Sequence, residues 1–269
     1  MNKYTLSAET KEWCGHTLHK IEYSEEFKQH IKAEFGIDLE GGWLESESNL
    51  SQDGDALVYG DAKICDGAWI YGNAMIYGNA WIYGNARIYG NARIYGNACA
   101  YDGARIYGNA EVYGNAEVYD GAWVYGNARI YDDAWVYDDA RIHGDACVYA
   151  DAKIYGNALV YGDARIYDGA WVYGHAWIYD DARICGDACA YDDAKIYGNA
   201  RIYGDARIYG NAEVYDDARI YGDACVSQGY TTSMTISTTA QWYEYQCRKA
   251  ELQAKFEKEN KEREKAISL

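Results

Sequence analysis

The stretch AWIYGNAMIYGNAWIYGNARIYGNARIYGN, residues 68–97, repeats every six residues, and this period decides the fold. The same hexad begins at Ala56 and continues without an insertion to Gly229. With each Ala as position 1, position 3 is Ile or Val apart from Ala100 and Ala190, and position 4 is nearly always Tyr. Positions 5 and 6 come almost entirely from Gly, Asp and Asn, whereas position 2 varies.

Alternating inward and outward side chains are typical of a β-strand, so Ala and Ile/Val are expected inside and position 2 and Tyr outside. The pairs formed by Gly, Asp and Asn tolerate the positive φ of tight turns. A strand of about four residues with a two-residue corner cannot bury its apolar side alone. The chain must therefore coil, so that successive turns stack about 4.8 Å apart.

The phase of this repeat resembles the hexapeptide repeat of left-handed β-helices, in which three hexads form one triangular coil. The segment GGWLESESNLSQDGDALVYGDA (residues 41–62), with the opening KYTLS, looks like the YdcK-type hexapeptide-repeat proteins of bacteria and related phage-encoded proteins. The resemblance implies an all-β fold, a left-handed parallel β-helix of about ten coils. It implies no chemistry that can be carried over residue by residue.

Both ends of such a rod expose unpaired strand edges and need caps. Residues 1–49 predict a small α+β cap, with a hairpin that turns near Cys14-Gly15 and a short helix in SEEFKQHIKAEFG. Residues 50–229 form the β-helix. Residues 230–269 predict a strand in TTSMTISTT and then a helix from about Ala240, capped by Thr238 or Thr239. One face of this helix carries Trp242, Tyr245, Leu252 and Phe256.

The net charge of −17 argues against binding to nucleic acid or an anionic membrane by bulk attraction. No apolar signal segment or membrane span is visible, so we expect a cytoplasmic protein with reduced thiols. The eight cysteines form no CxxC motif, and the closest pair is Cys185 and Cys189. The sequence therefore predicts neither a metal site nor a cofactor.

Residues eighteen apart should stack on one face of the rod, and one face then ends in a stripe of arginines beside tyrosines. Arginine gives bidentate contacts to phosphate or carboxylate, and tyrosine gives a stacking surface. The predicted partner-binding residues are Arg165, Arg183, Arg201, Arg219, Tyr149, Tyr167, Tyr203 and Tyr221. Alternatively, Asp163, Asp181 and Asp217 simply neutralise the arginines, and the tyrosines only cover the sheet.

Corner carboxylates form a second candidate, an acidic edge that climbs consecutive coils. Its predicted members are Asp133, Asp151, Asp168, Asp187, Asp205 and Asp223. Stacked carboxylates repel each other, so they either accept hydrogen bonds from local backbone amides or recruit cations. The glycine-rich nonapeptide of calcium-binding β-rolls is absent from the sequence.

Many left-handed β-helix proteins are acyltransferases, which generally use a histidine base and a loop that interrupts the coils. Here the repeat holds only His143 and His175, and no insertion creates a concave site. Cys147 and Cys189 point outward with no predictable histidine partner. The bulky, charged ladders also differ from an ice-binding face.

The sequence therefore favours a non-catalytic scaffold that presents its side-chain ladders to a protein partner of unknown identity. Its tyrosine and tryptophan columns favour a homo-oligomer, a dimer or trimer. One alternative is an acidic mimic of a polyanion, of the kind that a phage would encode against host defence. The other alternative is an acyltransferase-like enzyme.

Overall fold

The computed structural model describes residues 2–232 and 235–267 of the chain. Within these ranges some side chains of the last strand and helix, including Leu252 and Phe256, fall outside the described set. The predictions made for those two side chains therefore lie outside the described residues, as does part of the predicted strand TTSMTISTT.

The hexads form a parallel β-solenoid in which each strand pairs with the strands 18 residues before and after it, as for Arg93 with Met75 and Glu111. About ten turns stack in this way, with three strands in each turn. The predicted parallel β-helix with a small N-terminal cap and a C-terminal helix is confirmed. The strands fall on three faces.

The first face carries the strands that form one sheet of eleven. They are Leu57–Val58, Met75–Ile76, Arg93–Ile94, Glu111–Val112, Arg129–Ile130, Cys147–Val148, Arg165–Ile166, Arg183–Ile184, Arg201–Ile202, Arg219–Ile220 and Thr235–Ile236.

The other two faces are joined into a single sheet near the C-terminal end of the solenoid. The second face consists of Trp43–Leu44, Lys63–Ile64, Trp81–Ile82, Cys99–Ala100, Glu117–Val118, Trp135–Val136, Lys153–Ile154, Trp171–Val172 and Cys189–Ala190. The third face consists of Trp69–Ile70, Arg87–Ile88, Arg105–Ile106, Trp123–Val124, Arg141–Ile142, Leu159–Val160, Trp177–Ile178 and Lys195–Ile196. The long strands Arg207–Tyr215 and Cys225–Thr232 run through the corner between these two faces.

Apart from the two long strands, each hexad strand contains only positions 2 and 3, half the predicted length. The hydrogen bonds between coils nevertheless continue beyond the strand, because the amide of position 4 and, at many corners, the amide of position 6 also donate to the next coil. In one hexad Met75 N donates to Ala92 O at 2.9 Å, Tyr77 N to Ile94 O at 3.0 Å and Asn79 N to Gly96 O at 2.8 Å. The short strands therefore reflect backbone geometry at the corners and not a loss of pairing.

The interior of the solenoid consists of the residues at positions 1 and 3. Alanines and aliphatic residues from Ala56 to Val226 are fully buried at these positions, including Ala100 and Ala190. The predicted assignment of inward and outward side chains is confirmed.

The corners depend on position 5, where nearly every residue has a positive φ. Gly90 has φ 69°, Asp138 has φ 55° and Ala150 has φ 55°. Glycine is favoured here for a second reason, because a Cβ on Gly90 would lie 2.9 Å from the amide nitrogen of Gly108 in the next coil. Asparagines at position 6 stack into amide ladders, with Asn91 Nδ2 donating to Asn109 Oδ1 at 3.0 Å.

The N-terminal cap begins with the antiparallel hairpin of β1 (Tyr4–Trp13) and β2 (His16–Tyr23). Cys14 and Gly15 form its turn with positive φ, as predicted. Helix α1 (Glu25–Phe35) follows, capped by Ser24 and ended by Gly36.

β2 pairs antiparallel with β3 (Trp43–Leu44), which in turn pairs in parallel with Lys63–Ile64. A 3₁₀ turn spans Glu47–Asn49. Solenoid pairing therefore starts before residue 50.

Cap side chains satisfy the backbone groups that the first coil would otherwise leave unpaired. The hydroxyl of Tyr23 accepts from Val58 N at 2.8 Å and donates to Val58 O at 3.1 Å. Tyr4 donates to Leu50 O at 2.7 Å, and Lys3 Nζ to Ala56 O at 2.9 Å. Because these buried hydrogen bonds pair the backbone groups of the first coil, the cap can cover the first strand edge of the solenoid.

The C-terminal end closes differently, because the coil shortens. The pairing offset falls from 18 residues at Ile208 and Val226 to 17 at Asn211 and Gln228, and to 16 at Ile220 and Ile236. Helix α2 (Thr239–Ile267) then begins, with the hydroxyl of Thr238 accepting from Gln241 N, as predicted for a cap.

Helix α2 starts against the last coil. Thr239 Oγ1 accepts from Cys225 N at 3.1 Å, and Trp242 is almost fully buried. Among the described residues, no helix combines the length and apolar character needed to cross a membrane.

Ile130 and Arg129 are neighbours that test the solenoid directly. We expect Ile130→Asp to lower the free energy of unfolding by about 3–5 kcal/mol, because it buries an unpaired charge between coils. Arg129→Asp should change the free energy of unfolding by less than about 1 kcal/mol, because its side chain is exposed. Urea denaturation of both variants measures the difference, and equal losses of stability would contradict the assignment of the two positions.

Candidate partner-binding site

Position 4 of the hexads forms three columns of stacked aromatic rings, one beside each face. Tyr131 and Tyr149 are representative, with ring centroids 4.8 Å apart and ring planes within 3° of each other. Burial of the rings raises the pKa of Tyr131 to about 12, so the column is uncharged at neutral pH. The columns are rigid because each ring rests on the rings of both neighbouring coils.

Four arginines at position 2 occupy the last coils of the first face, as predicted. Arg165, Arg183, Arg201 and Arg219 lie on four consecutive parallel strands. In the part of the chain that the structure describes, none of them has a carboxylate within 4.0 Å, and the ion pair on this face is between Arg93 and Glu111 at 3.8 Å. The predicted neutralisation by Asp163, Asp181 and Asp217 is therefore not seen as close ion pairs.

Cys185 interrupts the tyrosine column beside these arginines. Tyr149 stacks on Tyr167 at 5.0 Å below the break, and Tyr203 stacks on Tyr221 at 5.0 Å above it. Because a cysteine side chain is much smaller than a tyrosine ring, a notch of about 280 Å³ opens between Tyr167 and Tyr203. Its lining consists of Tyr167, Arg183, Cys185, Arg201, Ile202, Tyr203 and Arg219. We call these residues the Cys185 notch.

The Cys185 notch combines positive charge with aromatic walls. Three guanidinium groups border it. A hydrogen bond with the side chain of Cys185, together with burial of the ring, raises the pKa of Tyr167 to about 12, so this tyrosine is uncharged at neutral pH. Such a site suits a planar or tetrahedral anion, since arginine donates two parallel hydrogen bonds to carboxylate or phosphate. An aromatic or aliphatic group of the same ligand would fill the gap between the tyrosines.

The structure brings most of the predicted partner-binding residues to this notch. Arg183, Arg201, Tyr167 and Tyr203 line it together with Arg219. The predicted members that stand outside the lining are Arg165, Tyr149 and Tyr221. The sequence analysis did not assign Cys185 a role, although its place in the column at a tyrosine position is visible in the repeat.

The acidic edge differs from the prediction at Asp168. This residue occupies position 5 with φ 58°, and Gly169 takes the place in the column. A Cβ on Gly169 would lie 2.7 Å from the Asp187 carboxylate, so a larger residue there would displace that side chain. The column therefore contains Asp133, Asp151, Asp187, Asp205 and Asp223, with a break between the second and third. Asp168 is not a member.

Corner aspartates at position 5 have a backbone role. Asp66 Oδ2 accepts from Gly84 N at 3.1 Å, and Asp138 Oδ2 accepts from Gly156 N at 3.3 Å, each in the next coil. At position 6, Asp133 accepts from the Asn115 amide at 3.0 Å. These contacts support the alternative in which corner carboxylates serve local hydrogen bonding.

Neither of the two histidines of the repeat lines the Cys185 notch. His143 stands in the aromatic column, stacked between Tyr125 at 4.7 Å and Tyr161 at 5.0 Å. His175 is an exposed corner residue. The thiols of Cys147 and Cys189 point toward backbone oxygens of Asp145 and Asp187, at 3.6 Å in both cases.

Tryptophans at position 2 are paired with cations along the columns. Lys153 Nζ lies 5.0 Å from the ring centroids of both Trp135 and Trp171 on the second face. On the third face, Trp123 lies between Arg105 and Arg141, at 4.6 Å and 5.3 Å. These cations thus form cation–π contacts with tryptophan rings, whereas the described residues place no tryptophan ring over the arginines of the Cys185 notch.

The position of His143 predicts a pH dependence. Burial lowers the pKa of His143 below its usual 6.5, so the unfolded chain binds the proton more readily than the folded chain. The stability contribution of neutral His143 is therefore complete above pH 6.5 and is lost as pH falls through 6.5 toward the lowered pKa. We expect the His143→Tyr variant to lose less stability between pH 7.5 and about 5.5, measured by urea denaturation. An identical pH profile in both proteins would contradict the assigned burial.

Comparison with protein families matches the chain to the model described as YdcK Beta solenoid repeat. The matched residues are 68–84, 80–93, 86–102, 122–138, 128–144, 152–168, 160–174 and 194–210, all within the stacked coils. A search of curated proteins found no match. The matches span most of the solenoid, and the fold is the parallel β-solenoid that the family description names. The chain therefore belongs to the YdcK beta solenoid repeat family.

Proposed function

We propose that the protein is a non-catalytic scaffold whose Cys185 notch docks an anionic group of a protein partner. The observation that carries this proposal is the coincidence of two features at one place. The tyrosine column is broken at Cys185, and three arginines border the gap that have no carboxylate within 4.0 Å among the described residues.

The geometry favours a folded partner over a flexible one. Arg183 and Arg201 are directly paired on adjacent strands, so their side chains leave the rod about 4.8 Å apart. Each wall of the notch is a stacked pair of tyrosines. Because stacking already holds these rings in place, they lose little conformational entropy when a partner binds. A partner with a carboxylate or phosphate beside an apolar side chain would contact both arginines and enter the notch.

The arginines give the first test of this proposal. We expect Arg183→Glu with Arg201→Glu to reduce capture of partner proteins from the native host at least about 100-fold, because each repelled charge pair costs several kcal/mol at such a contact. The measurement is affinity capture with quantitative mass spectrometry, followed by titration calorimetry with each captured protein. Arg87→Glu with Arg105→Glu is the matched control, because these arginines are also paired on adjacent strands but lie on the third face.

A second variant tests shape without changing charge. Cys185→Tyr restores the column residue, and it should close the notch while keeping the rod folded. Loss of capture in both notch variants, with the control unchanged, supports docking at the notch. Capture that survives both variants would contradict the proposal.

The acidic edge supports a second candidate function, a mimic of a polyanion. Asp187, Asp205 and Asp223 are exposed on three consecutive coils, and among the described residues none forms an ion pair within 4.0 Å. A protein that normally binds nucleic acid would contact a regular row of carboxylates at this edge.

The same assay separates the two functions. Replacing Asp187, Asp205 and Asp223 by Asn should weaken binding of a basic partner and flatten the salt dependence of its Kd. Under this candidate the Arg183→Glu, Arg201→Glu variant should bind as well as the unmodified protein or better. If the Asn substitutions leave both the Kd and its salt dependence unchanged, the acidic edge is not the binding surface.

A further inference from the structure

A cluster of metal-ligating side chains lies where the N-terminal hairpin meets the first coil, far from the Cys185 notch. A ring nitrogen of His16, the thiol sulfur of Cys65 and a carboxylate oxygen of Asp66 all lie within 4.8 Å of one another. His16 comes from β2, whereas the other two residues follow the strand Lys63–Ile64. This site could not be predicted from the sequence, because it joins two residues of the repeat to His16, which lies 49 positions before Cys65 and outside the repeat.

Cys65 departs from the repeat, because it takes the place of the column tyrosine at position 4. Asp66 is at position 5, where aspartate alternates with glycine along the solenoid, and it adopts φ 55° as the other residues of this position do. The two successive residues bring ligand atoms to a corner beside His16 of the hairpin.

Cys65 is fully buried, while the side chains of His16 and Asp66 are 25% and 40% exposed. The thiol forms the inner side of the cluster, with the indole nitrogen of Trp81 3.5 Å from its sulfur. An ion can therefore reach the cluster from the solvent side and meet the thiol at its inner end.

Glu45 fixes the orientation of the imidazole. Its Oε1 lies 3.1 Å from Nδ1 of His16, and its Oε2 accepts a hydrogen bond from Asp66 N. With Nδ1 engaged, Nε2 is the nitrogen that faces the cluster, 3.8 Å from Asp66 Oδ1. Histidines that bind metal ions are commonly held in this way, by a carboxylate on the second ring nitrogen.

We propose that His16, Cys65 and Asp66 bind one divalent transition-metal ion of the zinc type, with Glu45 as the positioning residue. Zinc accepts nitrogen and oxygen ligands at about 2.0–2.1 Å, which places a tetrahedral nitrogen–oxygen pair about 3.3–3.4 Å apart. Nε2 and Oδ1 are 3.8 Å apart, so metal binding has to bring these two atoms closer together by about 0.4 Å. Binding transfers the thiol proton of Cys65 to solvent, and water completes the coordination.

The ion would fasten the hairpin to the solenoid. His16 is the first residue of β2, next to the turn, and it is held to the first coils on the second face through Glu45 and Asp66. A metal bond there closes a loop of about fifty residues and protects the paired edge of β2 and β3. The site thus has a structural role that does not depend on the function of the Cys185 notch.

A second cluster provides the matched control. His30, Glu34 and Asp55 also offer three ligand atoms within 4.8 Å. This cluster is more exposed and contains no thiol, so cobalt bound there gives no thiolate absorption.

The test is a titration of the full, metal-stripped chain with Co²⁺, followed by competition with Zn²⁺. We expect one Co²⁺ per chain, with a thiolate-to-cobalt charge-transfer band that Zn²⁺ removes, and a higher melting temperature with Zn²⁺. Cys65→Ser should abolish the band, and Glu45→Gln should weaken binding about 10–100-fold. His30→Ala should leave the band and the affinity unchanged.

Asp66→Gly is a second variant that should remove a ligand without disturbing the fold, because glycine is the usual residue at position 5. It should fold as the unmodified protein does and bind Co²⁺ more weakly. The proposal is overturned if the unmodified chain shows no thiolate band. It is also overturned if Cys65→Ser and Asp66→Gly bind Co²⁺ like the unmodified chain, since His16, Glu45 and Asp66 then form ion pairs only.

Discussion

The hydrogen bonds between coils are the constraint on which the rest of the structure depends. The amides of positions 2 and 4, and at many corners that of position 6, donate to carbonyls 17 residues further along, so each residue is aligned with the one 18 positions away. This spacing gives three strands per coil and stacks residues of the same hexad position on one another. Position 1 is alanine throughout the hexads and is buried in every coil, where little space is left for a larger side chain. Once the register is set, a substitution at one position acts on the coils above and below it.

Irregularities in the columns are consequently more informative than the repeat itself. A tyrosine in the column supports two neighbouring rings, so replacement by a small residue leaves a gap that no side chain within the column can fill. At Cys185 this gap stays open to solvent and is bordered by arginines. At Cys65 the hairpin covers the gap and brings His16 beside the thiol. His143, by contrast, preserves the stacking and creates no gap.

The repeat made the solenoid, its inward residues, its three faces and the general nature of both caps predictable, since a strict period allows little freedom. Asp168 was assigned to the wrong column: counted from Ala164 it is the fifth residue of its hexad, and its φ of 58° is typical of that position. The meeting of His16 with Cys65 and Asp66 could not be predicted, because the hairpin has no periodic relation to the coils. The shortening of the last coil, likewise, depends on how the chain enters α2.

The overall charge restricts what the arginines of the notch can bind. A chain with a net charge of −17 repels anions at long range, but salt screens this repulsion beyond about 8–10 Å. The arginines act only within this distance, and in the described part of the chain Arg183 and Arg201 have no carboxylate within 4.0 Å. A long, flexible polyanion would bring most of its charge over the acidic corners of the solenoid and be repelled. A folded partner that carries one or two anionic groups on a projecting surface gains the arginine contacts without that repulsion, and it is the class of ligand that this arrangement of charges favours.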